Sequence, residues 1–189
     1  FLPVVFALHW AGRSRVWQNA ILVGASYLFY GWWDWRFCFL LLAVSLVDYV
    51  AGAALDRHRG HGRRRLILIA ALSTHLAVLG FFKYFDFFVD SLALALSLAG
   101  WDIPTSRFAV ILPVGISFYT FQTMSYTLDI YRGQYHRRRS LLDYLAFVSF
   151  FPQLVAGPIE RACQLLPQYG ATRTFDPAEA REGCRFILW

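Results

Sequence analysis

LPVGISFYTFQTMSYTLDIYRG (residues 112–133) and YLAFVSFFPQLVAGPIER (144–161) flank a basic loop, and together they decide the fold class. The chain is uncharged from 108 to 128. At about 1.5 Å per helical residue, that run suffices for a hydrocarbon core about 30 Å thick. It is not uniformly apolar. On a 3.6-residue period Ser117, Thr120, Thr123 and Thr127 gather on one side, with Tyr119, Gln122 and Tyr126 on the other. The second run starts apolar and is broken by Pro152, Gly157 and Pro158 before Glu160 and Arg161. Irregular backbone at membrane depth survives only where protein or a wet cavity satisfies its amides. The stretch is therefore expected to line a cavity inside a membrane protein. Gln153, Pro158, Glu160, Arg161, Tyr119, Gln122 and Thr123 are the candidate pocket-lining or substrate-binding residues. For the polar edges of 108–128 the competing role is helix–helix hydrogen bonding, worth about 0.6 kcal/mol per bond in membranes.

Composition agrees with the membrane reading. Of 189 residues, 58% are hydrophobic and 16% charged, against about 25% charged in soluble domains; mean hydropathy is +0.44. The net charge of +6 comes from basic residues, all arginine except Lys83, clustered in short loops between apolar runs. That pattern signals membrane orientation and anionic headgroups, and argues against nucleic acid as a partner. Cys38, Cys163 and Cys184 have no redox or metal-ligand spacing and read as ordinary thiols. The chain opens at Phe1 and stops at Trp189 within an apolar run, so it is expected to be a fragment cut at both ends.

Residues 1–10 are too short to span and read as the tail of a first helix. A span over 16–33 ends in Tyr27, Tyr30, Trp32 and Trp33, which puts a membrane interface near 32–35. A second span covers 37–55, followed by the strongest charge cluster, DRHRGHGRRR at 56–65, and a third span at 66–82. Positive loops stay in the cytoplasm. For the second basic loop, 132–139, to lie there too, 85–100 must not cross, and it reads as an interfacial or re-entrant helix. Residues 142–156 re-enter the membrane. Polar surface helices follow over 157–182, with Asp176 capping a helix whose first residue is Pro177, and a further span starts near Gly183. One polytopic, all-α transmembrane domain over 1–189 is the simplest organisation.

Candidate chemistry is sparse. Asp48 sits inside an apolar span, where acids are costly and often functional; Arg57, Arg59 or a tyrosine hydroxyl would satisfy it. His75 lies mid-span as a potential base, yet with no acid, serine or cysteine at a matching spacing it reads better as a hydrogen-bond donor between helices. His9, His58, His61 and His136 lie at helix ends or in basic loops and read as solvated. The arginine clusters serve orientation, or attract an anionic cytosolic donor. Glu160 and Arg161 read as a local ion pair at a cavity mouth. No phosphate-binding loop, zinc motif, nucleophile elbow or dinucleotide fingerprint occurs.

Three stretches, SYLFYGWWDWRF at 26–37, LPVGISFYTFQTMSYTLDIYRG at 112–133 and FFPQLVAGPIERA at 150–162, resemble the membrane-bound O-acyltransferases. More narrowly, they resemble the bacterial branch that acetylates alginate or carries D-alanine to teichoic acid. The resemblance implies helices ringing a funnel, and transfer of an acyl group from a cytoplasmic donor to a hydroxyl at or beyond the outer face. For the alginate branch it implies acetyl-CoA as donor with no bound cofactor, the bacterial inner membrane as location, and a periplasmic acetyltransferase and polysaccharide assembly proteins as partners. The family's catalytic histidine lies well downstream of the GPIER-like turn, and none of the five histidines here matches it. No catalytic residue is carried over, and the segment alone is expected to be inactive. Acetylation of peptidoglycan or another envelope glycan, D-alanyl transfer, and a non-enzymatic polysaccharide conduit are the competing functions.

Overall fold

The computed structural model describes residues 1–98, 100, 111–136, 140–154, 157 and 161–188. Among them the secondary structure is entirely helical: α1 (Leu2–Ala11), α2 (Arg15–Asp34), α3 (Arg36–Arg57), α4 (His61–Leu98), α5 (Ile116–Tyr131), α6 (Leu141–Ser149), α7 (Phe151–Leu154), α8 (Ala162–Gly170) and α9 (Pro177–Leu188). Two of these, α3 and α4, are long and apolar enough to cross a membrane. Their outer faces, with Phe39, Val50, Leu66 and Ile69, are exposed and apolar. In water such patches would drive aggregation; in a bilayer they are the solvated surface.

α5 is the hub, packed against α3, α4, α6 and α8. It is buried on both polar edges, Tyr119, Gln122 and Tyr126 as well as Thr120, Thr123 and Thr127. The helix is shorter than the uncharged run that predicted it. It has 16 residues, about 24 Å at 1.5 Å per residue. Pro113 and Gly115 set its start, because Gly115 takes φ +76°, a left-handed conformation that glycine adopts without steric cost. Residues 111–115 are not helical, and 108–110 fall outside the described residues.

The α2–α3 connection turns on Trp35 alone, with the Arg36 guanidinium gripping Asp34 at 2.8 Å. Trp32, Trp33 and Trp35 stand exposed there, as an aromatic belt at the headgroup level does. At the opposite end Arg64 draws the two basic loops together. Its Nη1 donates to the Leu55 carbonyl at 2.8 Å, and its Nη2 to the carbonyls of Tyr131 at 2.8 Å and Ile130 at 3.1 Å. One cation thus satisfies orphan carbonyls at the C-terminal ends of α3 and α5, where the helix dipoles favour positive charge.

The expected break after residue 82 is absent. α4 runs 38 residues without interruption, so 85–98 is the outer half of a long helix and not a separate re-entrant one. Gly80 and Gly100 bracket a segment without glycine or proline, and SLALALSL is strongly helix-forming. Lys83, Asp86 and Asp90 are exposed, and Lys83 Nζ donates to Ser117 Oγ on α5 at 3.5 Å. Ala71, His75 and Leu79 are buried, and nothing beyond Lys83 is. Asp176 caps α9 as expected, its Oδ1 accepting from the Ala178 amide at 2.7 Å. That helix passes through Gly183 without a break.

Candidate functional site

The interrupted segment folds as α6, a break at Phe150, and the single turn α7. α6 is anchored at its start. Ser140 caps it by accepting from the Asp143 amide, and the Asp143 carboxylate takes Arg15 at 2.9 Å and the Asn19 amide at 2.8 Å from α2. Asn19 also donates to the Tyr169 carbonyl at 2.9 Å, which ties in the end of α8. At the break, Ser26 accepts from the freed Phe151 amide at 3.1 Å. The Gln153 and Leu154 amides return to the Phe150 carbonyl, and the Gly157 amide to Gln153. The amides of Phe151, Gln153, Leu154 and Gly157 are thus satisfied by protein, as membrane depth demands.

Glycines allow the close fit. A Cβ on Gly115 would meet the Leu154 carbonyl oxygen at 2.5 Å, and one on Gly157 would meet Gln153 Cγ at 2.7 Å. An open cleft of about 500 Å³ lies beside this turn, lined by Phe150, Pro152, Gln153, Gly157, Gln164, Leu165 and Gln168. Its size is that of a small-molecule site. Among the described residues its polar side chains are Gln153, Gln164 and Gln168, neutral amides that do not exchange a proton near neutral pH.

The other sequence candidates fall elsewhere. Gln122 is buried and donates to the Phe147 carbonyl at 3.1 Å, joining α5 to α6. Thr123 donates to the Thr120 carbonyl one turn back at 3.1 Å. Tyr119 is fully buried, its ring edge-on to Tyr30. Gln122 and Tyr119 meet neighbouring helices, Thr123 bonds within its own, and none of the three lines the cleft. Arg161 is exposed and precedes α8. Pro158 and Glu160 lie outside the described residues, and with them the proposed Glu160–Arg161 pair.

Asp48 and His75 prove to be partners. His75 Nε2 stands 2.5 Å from Asp48 Oδ2 as a close ion-pair contact outside hydrogen-bond angles, and Thr127 donates to Asp48 Oδ1 at 2.5 Å. The three come from α4, α3 and α5, and none is more than 1% exposed. An acid orienting a histidine is the pairing of many general bases, but among the described residues both side chains are buried. It clamps three helices. Among the described residues Asp48 is met by His75 and Thr127, and not by Arg57 or Arg59 as expected. A hairpin folded at the 56–65 loop brings the two mid-span residues face to face, and that geometry was the available signal. Ser26, Gln164 and Gln168 gave no signal at all, since their roles depend on the break at Phe150. No cluster able to hold a metal occurs among the described residues.

The chain is similar to two probable alginate O-acetylases named AlgI. It is 39% identical to the one from Pseudomonas putida over 99% of this chain and 38% of the relative, and 38% identical to the one from Pseudomonas aeruginosa over 99% and 36%. It is also 30% identical to a peptidoglycan O-acetyltransferase from Helicobacter pylori over 89% of this chain and 36% of the relative. The chain therefore spans less than two-fifths of the length of these relatives. No protein-family model and no solved structure matches it.

Proposed function

We propose that this chain, which belongs to the membrane-bound O-acyltransferase family as a segment of the family's full length, forms part of the scaffold of an O-acetyltransferase acting on an exported polysaccharide such as alginate. The observation that carries the reading is likeness to alginate O-acetylases along 99% of the chain. The cleft at the turn gives it a physical locus. Acetyl-CoA is the donor in this reading, approaching from the cytosol. The end gathered by Arg64, which also presents Arg57, Arg59, Arg63 and Arg65, is the cytoplasmic one and raises the local concentration of the anionic donor. The protein is then a multi-pass resident of the bacterial inner membrane, and a periplasmic acetyltransferase completes delivery to the polymer.

The chemistry divides accordingly. Attack of an acceptor oxygen on a thioester carbonyl needs a base. The cleft amides hold and orient, while His75 is sealed against Asp48. The base belongs to a part of the protein outside this segment. The Helicobacter pylori relative favours a second reading, in which the acceptor is peptidoglycan.

One measurement tests both. Disruption of the gene, followed by alkaline release of acetate, should remove ester-linked acetyl from the exported polysaccharide and leave muropeptide acetylation unchanged. Loss confined to muropeptides selects the second reading. No acetyl loss from either polymer ends the acetyltransferase reading and leaves a conduit or another acyl group.

A further inference from the structure

A second cavity, of about 350 Å³, lies between α1, α2, α7 and α8 and shares Phe150, Pro152, Leu165 and Gln168 with the cleft. Its lining is graded. Leu2, Val5, Leu22 and Phe151 make one end apolar, and His9 and Arg173 make the other polar. Two polar atoms on this wall are buried without a hydrogen-bond partner among the described residues, His9 Nδ1 and Arg173 Nε. His9, expected to be solvated, is only 8% exposed, because the last turn of α1 packs it into this wall. The Arg173 guanidinium bonds Asn19 through Nη2 and lies over the Tyr169 ring at 5.4 Å. Burial pushes it below its ordinary value, so an anion alongside would relieve it.

The grade follows the depth of the protein. Gln18, near the start of α2, donates to the carbonyls of Gly12 and Arg173. This puts the polar end of the cavity at the same end of the molecule as Arg13 and Arg15. The apolar end lies half-way along α2, where Ser26 holds Phe151 and the Phe1 ring meets Phe151 at 5.2 Å. On α1, Leu2 and Phe6 line the cavity yet stay about half exposed, and Val4 and Leu8 on the other side of the helix are exposed and apolar, the surface a bilayer would solvate.

We propose that this cavity binds an anionic phospholipid, its phosphate held by Arg173 and His9 and one acyl chain lying along Val5, Leu22, Phe150 and Leu165. A basic pocket at the headgroup level with an apolar floor toward mid-depth matches the order of groups in such a lipid. A free phosphate would leave the apolar two-thirds of the lining unused. The site is independent of acyl transfer and would stand if that reading fell.

The test is photolabelling of the full protein in phosphatidylcholine vesicles containing phosphatidylglycerol with a diazirine in its acyl chain. Label is expected on peptides from 2–10 and 150–169. A phosphatidylcholine probe should label them about five- to tenfold less, the worth of one charge-assisted contact. Arg173→Gln should reduce phosphatidylglycerol labelling to that level. Because Arg173 also braces Asn19, Val5→Phe serves as the second variant: it fills the cavity, keeps the guanidinium in place and should suppress both labels. Equal labelling by the two probes overturns recognition of the anionic head, and displacement by excess inorganic phosphate reassigns the site to a free anion. Label absent from these peptides, or unchanged in Val5→Phe, removes the site altogether.

Discussion

The clamp between α3, α4 and α5 and the cleft at the α6–α7 break are both polar features within an apolar protein, yet they are built in opposite ways. In the clamp, ionisable groups are shut away from solvent and spent on one another, Asp48 on His75 and Thr127. In the cleft, side chains of no charge, Gln153, Gln164 and Gln168, border open space. Ionisable groups inside the bundle fix the arrangement of helices, and neutral amides border its opening. Residue type alone suggests the reverse, since a buried histidine beside an acid looks catalytic and a glutamine does not. Accessibility decides between them.

That contrast is most exposed to failure at Asp48. Asp48→Ala leaves His75 and the Thr127 hydroxyl buried without their acceptor, and removing one partner of a buried pair costs about 3–5 kcal/mol. The expected result is a steep fall in protein level and in the thermal unfolding midpoint in detergent, with acetylation per molecule of surviving protein unchanged. Normal abundance with acetylation abolished would move His75 from clamp to catalysis.

Next in size is Gly115→Ala. The added methyl would sit 2.5 Å from the Leu154 carbonyl oxygen at a φ of +76°, and strain of this kind costs about 1–3 kcal/mol. The substitution presses α5 against the turn that floors the cleft, so stability and acetylation should fall together. Gly24→Ala, where nothing lies within 4 Å of the added atom, is the control and should leave both within about 0.5 kcal/mol.

Both residues also mark what could be read without coordinates. Helical class and the aromatic turn at 32–35 were legible because hydropathy and tryptophan placement are local signals. The break beside Pro152 was legible, since proline fits only the first turn of a helix and α7 starts at Phe151; Gly157 lies outside any helix, and Pro158 falls outside the described residues. The extent of α4 was misjudged, because charges suggest a boundary while the helix simply left them exposed. The partnership of Asp48 with His75, and the roles of Ser26, Gln164 and Gln168, depend on which helices touch. No spacing within one helix encodes that.

Gln153→Ala sharpens the cleft side. The residue is nearly buried and borders the opening, and losing one orienting amide is worth about 1.4 kcal/mol, or tenfold in rate. Acetyl content per unit of protein should drop by about that factor while abundance holds. Equal loss of both would make the turn a folding element like the clamp.

The smallest effect belongs to Thr123, and it separates the two designs most cleanly. Its hydroxyl is fully buried on α5 and bonds only the Thr120 carbonyl of its own helix. It joins no neighbouring element, so it contributes to neither clamp nor cleft. Thr123→Ser keeps that bond and Thr123→Val keeps the shape, and each should shift stability by less than about 0.6 kcal/mol, the mean for a hydrogen bond within a membrane bundle. Acetylation should be unmoved in both. A loss of acetylation in Thr123→Val but not in Thr123→Ser would mean that the hydroxyl meets substrate. The hub helix would then have to open during turnover, and its packed polar edge would become part of the path.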